Sequence, residues 1–339
     1  MDIKKIILIV VLLAILLVIF GFVKSLGGQG VIGFTYLEAE KDKIIQNANF
    51  NFSKNVDIYQ IIKPSSDPNL FFAATNHGIF FSQDGGKNWY PFSDSEKKIN
   101  QDTIVYKIIQ NQSSGEIFIS AYQNNKGTIY QSNNNLFILN KLFEFNNDSI
   151  ISLAIFRGNL YLGLKSGKIL AYSFANQSIR QVAKLGRAIS SLENLNDHVL
   201  YALSASTIFE SFDGNKFVQN NDIFNVRDIA ISEDNSTVYL VTKNSFLKSV
   251  NFGNTYSQIT SLPLDPQKIE KIAASSANHI FVFGNQQFFE SNNGGQSWKT
   301  YNSLLKRTVS TIKITNDKIL VGTKSLNIVN SVVNESLEI

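Results

Sequence analysis

The residues of this chain that are suited to acid–base chemistry are carboxylates in the polar segments between its apolar runs. Asp84 lies in one such segment, SQDGGKNW, at residues 82–89. Other acids in polar segments are Asp94, Glu96, Asp148, Asp222 and Asp265. Two opposed carboxylates suffice to hydrolyse a glycosidic bond, so glycoside hydrolysis is the enzymatic hypothesis that these acids permit. Since acids are common in solvated loops and no second signal accompanies them, we assign no catalytic residue.

Metal and thiol chemistry have less support. The three histidines, His77, His198 and His279, are far apart in the chain, and none has a partner at the spacing of metal ligands. The chain contains no cysteine, which excludes disulfides, thiol nucleophiles and zinc–thiolate sites. Neither a G-x-S-x-G nor a Walker pattern occurs. We therefore expect no metal site and no cofactor.

The composition describes a large folded chain with a weakly charged surface. Of its 339 residues, 44% are hydrophobic and only 17% are charged. The formal net charge of +4 is spread over this length, which is too little for the basic surface that duplex nucleic acid attracts. We therefore expect no nucleic-acid partner.

The N-terminal residues predict attachment to a membrane. The run from Ile6 to Val23 carries no charge, and as a helix it would rise about 27 Å, close to the thickness of a hydrocarbon core. Two lysines precede it and one follows, which favours a cytoplasmic N-terminus at residues 1–5. We expect an uncleaved transmembrane signal anchor at 6–23, a linker at 24–45 and a periplasmic or extracellular domain. A cleaved signal peptide is the alternative, although no A-x-A-like site follows the run.

A repeat of about forty residues organises the rest of the chain. Each unit contains a short apolar strand, and the second residues of these strands are Phe71, Phe118, Tyr161, Tyr201, Tyr239, Phe281 and Leu320. One strand precedes the aligned strand in each unit and two follow it, separated by polar turns. Four antiparallel strands at this period are typical of a propeller blade. The predicted fold is an all-β, seven-bladed β-propeller of four-stranded antiparallel blades.

The predicted propeller spans residues 46–332 and is followed by a C-terminal tail at 333–339. Its last unit has only three convincing strands. Residues 46–53, QNANFNFS, alternate apolar and polar side chains and are predicted to supply the fourth strand, because closing the ring removes two exposed edges. The C-terminal segment VVNESL is the alternative for this strand.

The polar turn between the third and fourth strands recurs in four units. Each copy has a serine, an Asp or Asn two residues later, a glycine and an aromatic residue: Ser82, Asp84, Gly86 and Trp89; Ser211, Asp213, Gly214 and Phe217; Ser249, Asn251, Gly253 and Tyr256; Ser291, Asn293, Gly295 and Trp298. The Asp or Asn is expected to accept hydrogen bonds from turn amides, and the glycine to adopt positive φ. Because carboxylate catalysis would not survive two Asn replacements, we predict that these turns are structural.

These turns resemble the Asp-box, S-x-D-x-G-x-x-W, of sialidases, sortilin-type receptors and Ycf48/HCF136-like photosystem assembly factors. The resemblance extends over about residues 50–330 and implies a BNR/Asp-box propeller with its boxes on the outer rim, away from the functional site. A sialidase-like site would need three arginines in a clamp, whereas this chain has five arginines and none before Arg157. From the assembly factors we carry over only that the chain helps to assemble or hold a membrane complex.

The turns between the second and third strands lie opposite the boxes and form the predicted binding surface. Its candidate residues are Asn76, His77, Asn124, Lys126, Lys165, Lys243, Asn285 and Lys324. The four lysines predict a mildly positive ring, which favours an acidic polypeptide or an anionic glycan as partner. The predicted function is a non-enzymatic, membrane-anchored extracytoplasmic scaffold for protein interaction or membrane-complex assembly. The alternative is a glycan-binding or carbohydrate-active propeller, of the glycoside hydrolase or sialidase-like kind.

Overall fold

The protein, described by a computed structural model, is a β-propeller. The structure describes residues 34–38, 45–47, 49–50, 52, 55–64, 67–133, 136, 138–302, 307–315 and 318–324. Its strands are β1 (Phe34–Glu38), β2 (Ile45–Asn47), β3 (Asn49–Phe50), β4 (Ile58–Ile62), β5 (Phe71–Thr75), β6 (Gly78–Ser82), β7 (Asn88–Pro91), β8 (Ile104–Gln110), β9 (Ile117–Gln123), β10 (Lys126–Ser132), β11 (Asn140–Asn146), β12 (Ile150–Phe156), β13 (Asn159–Leu164), β14 (Lys168–Ser173), β15 (Ile179–Lys184), β16 (Ile189–Leu195), β17 (Val199–Ser204), β18 (Thr207–Ser211), β19 (Val218–Gln219), β20 (Val226–Ile231), β21 (Val238–Thr242), β22 (Phe246–Ser249), β23 (Ser257–Gln258), β24 (Ile269–Ala274), β25 (Ile280–Gly284), β26 (Gln287–Ser291), β27 (Lys299–Asn302), β28 (Thr308–Ile314) and β29 (Lys318–Lys324). One turn of 3₁₀-helix, Pro266–Lys268, precedes β24.

Six of the sheets have four antiparallel strands. Five of them are built from consecutive strands, namely β8–β11, β12–β15, β16–β19, β20–β23 and β24–β27. The sixth combines the two ends of the described chain, in the order β2-β1-β29-β28. The remaining sheet contains β4–β7 and has a fifth strand, because β3 pairs in parallel with β7.

The prediction of seven four-stranded blades is therefore wrong. Within the described residues there are six four-stranded antiparallel blades, and the sheet formed by β3–β7 has five strands with one parallel pair. The repeat was recognised from its second strands. It therefore does not predict the strands that the N-terminal residues add at the edge of a sheet. The predicted transmembrane helix lies outside the described residues. Within the described residues, no helix is long and apolar enough to cross a membrane.

The N-terminal residues close the ring, but with boundaries that differ from the predicted ones. β1 takes the third position of the last sheet and pairs with β29, from Phe34 opposite Gly322 to Glu38 opposite Lys318. β2 then pairs on the outer side of β1. The single closing strand predicted at 46–53 is thus replaced by β1 and β2, and the predicted linker contains β1. The predicted segments 1–5, 6–23 and 333–339 lie outside the described residues.

The first strand of each sheet is innermost. First strands contact one another in chain order, from β4 with β8 to β24 with β28, and β28 contacts β4, so the ring is closed. In such an antiparallel order, second-to-third and fourth-to-first connections share one face of the ring. We call this the turn face; it carries Asn76–His77 and Lys165–Gly167. The opposite face carries the four predicted Asp-box turns, and we call it the box face.

The apolar core lies between neighbouring sheets. Every residue of β5 and of β17 is buried, which explains why second strands are rich in aromatic and branched side chains. At the closure, Phe71 and Trp89 from the β3–β7 sheet pack in one cluster with Leu320 from β29. Full burial of a side chain of this size stabilises the fold by roughly 1.5–3 kcal/mol. The packing between sheets thus fixes the ring that positions the connections on both faces.

Candidate functional site

The four predicted Asp-box turns share one hydrogen-bond arrangement. In the first, Ser82 Oγ donates to Asp84 Oδ1 (2.8 Å) and accepts from the Gly86 N–H (2.9 Å). The same two bonds occur in the turns that begin at Ser211, Ser249 and Ser291. The last two turns have asparagine in place of aspartate, so the arrangement requires an acceptor oxygen and not an ionised carboxylate.

Asp84 is held in its turn by further hydrogen bonds. Its Oδ1 accepts from the N–H groups of Lys87 (3.1 Å) and Asn88 (2.9 Å). Burial opposes ionisation of Asp84, but hydrogen bonds from Asn88, Ser82 and Lys87 outweigh it and lower the pKa of this carboxyl. An ionised carboxylate fully engaged in its own turn is suited to holding the chain and not to general acid–base catalysis.

The box glycines provide close contacts between sheets. A Cβ on Gly214 would lie 1.8 Å from the Tyr161 hydroxyl, and one on Gly253 would lie 2.0 Å from the Tyr201 hydroxyl. Both tyrosines belong to the second strand of the preceding sheet. Both glycines also have positive φ, 74° and 84°, a conformation that glycine adopts without strain. These box glycines are therefore required for packing between neighbouring sheets.

Three of the loop acids are held by hydrogen bonds from backbone N–H groups. Asp94 is buried and accepts hydrogen bonds from the N–H groups of Glu96, Lys98 and Ile99 at 2.9–3.1 Å. Asp148 accepts from a backbone N–H of the β13–β14 turn, and Asp265 caps the 3₁₀ turn. Asp222 is exposed, and Glu96 forms an ion pair with Lys98 (3.0 Å). These contacts assign Asp94, Asp148 and Asp265 to loop structure.

The three histidines lie in different sheets or connections. His77 Nδ1 is 2.9 Å from the carbonyl oxygen of Gln101, and His198 packs against the Phe252 ring at 4.7 Å. His279 lies between a serine hydroxyl (2.9 Å) and the buried Glu290 carboxylate (3.2 Å). Among the described residues, no three His, Asp or Glu side chains form a group that could hold a metal ion.

A β-bulge occurs at the same place in the first strand of each sheet. In β4, Ile58 lies opposite Thr75 and Gln60 lies opposite Ala74, so that Tyr59 is an extra residue. The equivalent extra residues form what we call the bulge ring: Tyr59, Tyr106, Ile151, Ser190, Arg227, Glu270 and Ser310. Each lies at the turn-face end of an innermost strand and is at least partly exposed. Because a bulge re-aims its side chain, these residues surround the axial opening on the turn face.

Two tyrosines and a lysine form one side of the bulge ring. The rings of Tyr59 and Tyr106 are 5.4 Å apart, and Lys324 Nζ lies 5.6 Å from the Tyr59 ring, within the range of a cation–π interaction. Burial, with smaller contributions from Asp57 and Tyr106, raises the pKa of Tyr59 to about 12. This side of the opening is therefore aromatic, with Lys324 over the Tyr59 ring and the Asp57 carboxylate nearby.

An open cleft of about 490 Å³ lies on the turn face between the β16–β19 and β20–β23 sheets. Its lining residues are Arg187, Ala188, Ser190, Leu203, Ala205, Ser206, Val226 and Arg227. Leu203 and Val226 are buried and apolar, whereas both arginines are exposed. A guanidinium presents several N–H donors in a planar fork that matches a carboxylate or another planar anion. The cleft is therefore suited to an anionic group that is attached to an apolar one.

Arg227 is positioned by its neighbours on both sides. The Val226 N–H donates to a carbonyl of the β17–β18 turn (2.9 Å). Asp228 is buried and accepts from Lys271 Nζ (2.6 Å) and from the Ile272 N–H (2.9 Å) of the next sheet. The Arg227 guanidinium also donates to two carbonyl oxygens in the connection before β24. These contacts hold the guanidinium at the edge of the opening.

Arg187 is positioned by backbone contacts. Its carbonyl accepts a hydrogen bond from Ser204 Oγ (2.9 Å). Gly167 approaches it from the β13–β14 turn, where a Cβ would lie only 2.6 Å from the Arg187 carbonyl oxygen. Gly167 has a φ of 86°, so both its conformation and the close approach require glycine. Three neighbouring sheets thus contribute to the geometry of the cleft.

An acidic residue also lies beside the axial opening. Glu270, the bulge-ring residue of β24, follows Arg227 by one sheet. Burial raises the pKa of Glu270, although a hydrogen bond with the Val309 backbone and the charge of Arg227 favour its ionised form. The turn face is therefore a mixed surface, on which the two arginines of the cleft lie one sheet away from an acidic residue.

The predicted binding residues lie on the turn face, and several of them have contacts within the protein. Asn76 Oδ1 accepts from the Asp57 N–H (2.8 Å). Asn124 and Asn285 have φ of 51° and 52°, a left-handed conformation that asparagine tolerates well. Asn124 and Asn285 stand out in the sequence because they lie in tight two-residue turns. Their part in binding stays a prediction.

The four lysines of the predicted ring differ in their surroundings. Lys126 forms an ion pair with Glu144 (2.8 Å). Lys165 and Lys243 are exposed, and their backbone N–H groups anchor the turns. Lys324 ends β29 and faces Tyr59, as described above. It was predicted to lie in a turn before a further strand, but β1 takes the place next to β29.

Sequence reasoning missed Arg187 and Arg227. The sequence suggested arginines only as a clamp of three, and it drew attention to the connections between units only through their acids. A signal was present, since both arginines lie at the start of a first strand, in RAIS and RDIA. Arg187 lies three residues before Ser190, the residue of β16 that is equivalent to Arg227, and both arginines lie on the turn face of adjacent sheets.

No protein-family model matches the sequence, and no curated protein matches it either. The structure is similar to that of YCF48 from Cyanidioschyzon merolae, with a TM-score of 0.63 and 11% identity over 85% of this chain and 98% of that chain. It is also similar to YCF48 bound to D1 peptide, with a TM-score of 0.60 and 11% identity over 88% of this chain and 98% of that chain. The chain has the fold of the Ycf48 propellers. The predicted likeness to Ycf48-like propellers is thereby confirmed at the level of the fold.

Enzymes share this architecture as well. The GH74 enzyme of Niastella koreensis has a TM-score of 0.57 and 16% identity, over 74% of this chain and 46% of that chain. This chain thus spans less than half the length of that enzyme. At such identities the likeness concerns the fold alone, because one fold supports many functions.

Proposed function

We propose that this chain is a membrane-attached, extracytoplasmic propeller that acts as a non-enzymatic scaffold for protein interaction and helps to assemble or hold a membrane complex. Residues 6–23 provide the attachment, and the partner binds on the turn face. The observation that carries the proposal is the cleft between Arg187 and Arg227. The similar fold of YCF48 bound to D1 peptide supports a polypeptide ligand.

The chemistry of the cleft indicates the kind of polypeptide. Two exposed guanidiniums favour a carboxylate, from an acidic side chain or a chain terminus. Leu203 and Val226, both largely buried, form the apolar floor of the cleft. Phe224, in the connection that leads to β20, is 63% exposed and adds an apolar side chain to the turn face, and exposed aromatic side chains are frequent anchors in interfaces. We therefore propose a short acidic segment that contains at least one apolar residue.

Selection from a displayed library of random peptides tests this proposal. We expect the wild-type protein to enrich acidic peptides, and the affinity for them to fall as salt screens the charges. In the variant Arg187→Gln/Arg227→Gln the affinity should fall at least tenfold, because a hydrogen bond to a charged group is worth about 1.5–3 kcal/mol. Arg157→Gln is the matched control, since Arg157 lies on the box face, where its Nε donates to the Asp197 carbonyl. Enrichment without acidic residues, or an affinity independent of the two arginines, would contradict the proposal.

A glycan ligand is the second candidate function. It is favoured by the similar fold of the GH74 enzyme and by the adjacent rings of Tyr59 and Tyr106 at the opening. Retention on a glycan array that depends on these two tyrosines, and not on Arg187 and Arg227, would support this alternative over the scaffold.

A further inference from the structure

The chain enters the propeller from the turn face. β1 takes the third position of the last sheet, and its Phe34 end pairs with Gly322, close to the turn-face end of β29. Its Glu38 end pairs with Lys318, at the box face. The residues that precede Phe34 are therefore joined to the same face that carries the Arg187–Arg227 cleft.

The connection between this entry point and the proposed membrane segment is short. Residues 24–33 separate the uncharged run at 6–23 from Phe34, and ten residues span at most about 36 Å when fully extended. To bring the box face to the membrane, they would have to pass over the rim of the ring. The seven-residue strand β28 alone makes the ring about 23 Å deep, and the connections on both faces add to this depth. A ten-residue connection would have to be almost fully extended to cover this depth, whereas it brings the turn face to the membrane without such extension.

We infer that the closure of the ring directs the turn face toward the bilayer, so that the cleft binds an acidic extramembrane segment of an integral membrane protein close to the membrane surface. This inference rests on the proposed function, from which it takes the membrane attachment and the anionic ligand. It adds the orientation of the ring and the place where the ligand is met.

A protein segment fits the turn face better than a lipid surface does. Attraction to anionic lipid needs several clustered cations, each worth about 1 kcal/mol. The lysines of this face are dispersed over different sheets, and Lys126 is paired with Glu144. The two arginines, in contrast, both line one cleft together with buried apolar residues. A cleft of this kind selects a particular segment, whereas a headgroup layer requires an even basic surface.

Single cysteines in the full-length protein test the orientation, because the chain has no cysteine of its own. A fluorescent donor is attached on the turn face in the variants Lys165→Cys and Lys243→Cys. On the box face of the same two sheets it is attached in Asn176→Cys and Asn254→Cys, respectively. All four positions are exposed. After reconstitution into vesicles with acceptor-labelled lipid, we expect greater energy transfer from the turn-face member of each pair. Equal transfer, or greater transfer from the box face in both pairs, overturns the inference.

Vesicle composition and flotation separate the possible failures. We expect the same orientation in phosphatidylcholine vesicles and in vesicles with phosphatidylglycerol, because the chain connection sets it. An orientation that needs phosphatidylglycerol identifies a lipid headgroup as the ligand and overturns the protein-segment inference. Protein that does not float with the vesicles contradicts the proposed membrane attachment, and this inference with it.

An acidic peptide taken from the library selection tests the membrane-proximal ligand. Coupled to a lipid in phosphatidylcholine vesicles, it should bind the reconstituted protein at least tenfold more strongly than the same peptide free in solution, because both are confined to one surface. The Arg187→Gln/Arg227→Gln variant should lose this gain. Binding no stronger than that of the free peptide overturns the inference but leaves the proposed acidic ligand standing.

Discussion

Removal of residues 1–51 is expected to destroy the cooperative fold, whereas removal of residues 1–30 should leave it intact. The longer deletion removes β1, β2 and β3, which pair with β29 and β7 on the two sides of the closure. Without β1, β29 becomes an unprotected edge beside the cluster in which Leu320 packs with Phe71 and Trp89. We expect a loss of more than about 4 kcal/mol in the free energy of unfolding, beyond the usual range of single substitutions.

Denaturant unfolding and size-exclusion chromatography measure this effect. The shorter deletion removes the uncharged run but keeps the three N-terminal strands, so it is the matched control. We expect it to give a single transition and a monomeric peak, while the longer deletion gives aggregates or a broad, non-cooperative transition. Equal stability of the two chains would show that the ring does not need its N-terminal strands.

The substitution Gly253→Ala is expected to cost more than Gly158→Ala, although both glycines have positive φ. A left-handed alanine costs roughly 1–2 kcal/mol at either position. At Gly158 a Cβ would meet nothing within 4 Å, whereas at Gly253 it would lie 2.0 Å from the Tyr201 hydroxyl. Overpacking of this kind costs about a further 1–3 kcal/mol. The total for Gly253→Ala is therefore about 2–5 kcal/mol.

Tyr201→Phe should rescue part of this loss. It removes the hydroxyl, after which the nearest ring atom of residue 201 is 3.3 Å from the new Cβ. The double variant should thus be more stable than the sum of the two single changes predicts, by about 1 kcal/mol or more. The midpoint of denaturant unfolding, at unchanged slope, measures each term. Additive effects, or equal costs at Gly158 and Gly253, would refute the contact between the box turn and the preceding sheet.

The sequence predicted the all-β propeller architecture because second strands are distinctive. Each is buried on both faces and therefore forms a continuous apolar run, as in β5 and β25. Their spacing located the second strand of each sheet, from Phe71 in β5 to Leu320 in β29. The turns of the box face could also be recognised in the sequence, because local backbone geometry requires the acceptor side chain and the glycine.

The closure and the cleft could not be predicted in the same way. β1, β2 and β3 have two to five residues each and precede the repeat, so their pattern does not show which sheet they join. The bulge ring depends on the register between first and second strands, as at Tyr59 between Ile58 and Gln60, and alternation of side chains alone does not reveal it. Arg187 and Arg227 line one cleft because two fourth-to-first connections lie next to each other, which is a consequence of the ring.

The binding of a protein partner at the Arg187–Arg227 cleft is tested most directly by photo-cross-linking in native membranes. Benzoylphenylalanine at Ser190, an exposed residue that lines the cleft, is compared with the same group at Asn292, an exposed residue of the box face. The predicted result is a cross-link to one protein from position 190 and none from position 292. Arg187→Gln/Arg227→Gln should reduce the cross-link at least tenfold. A cross-link of equal yield from both positions, or one that does not depend on the two arginines, would contradict the assignment of the turn face as the binding surface.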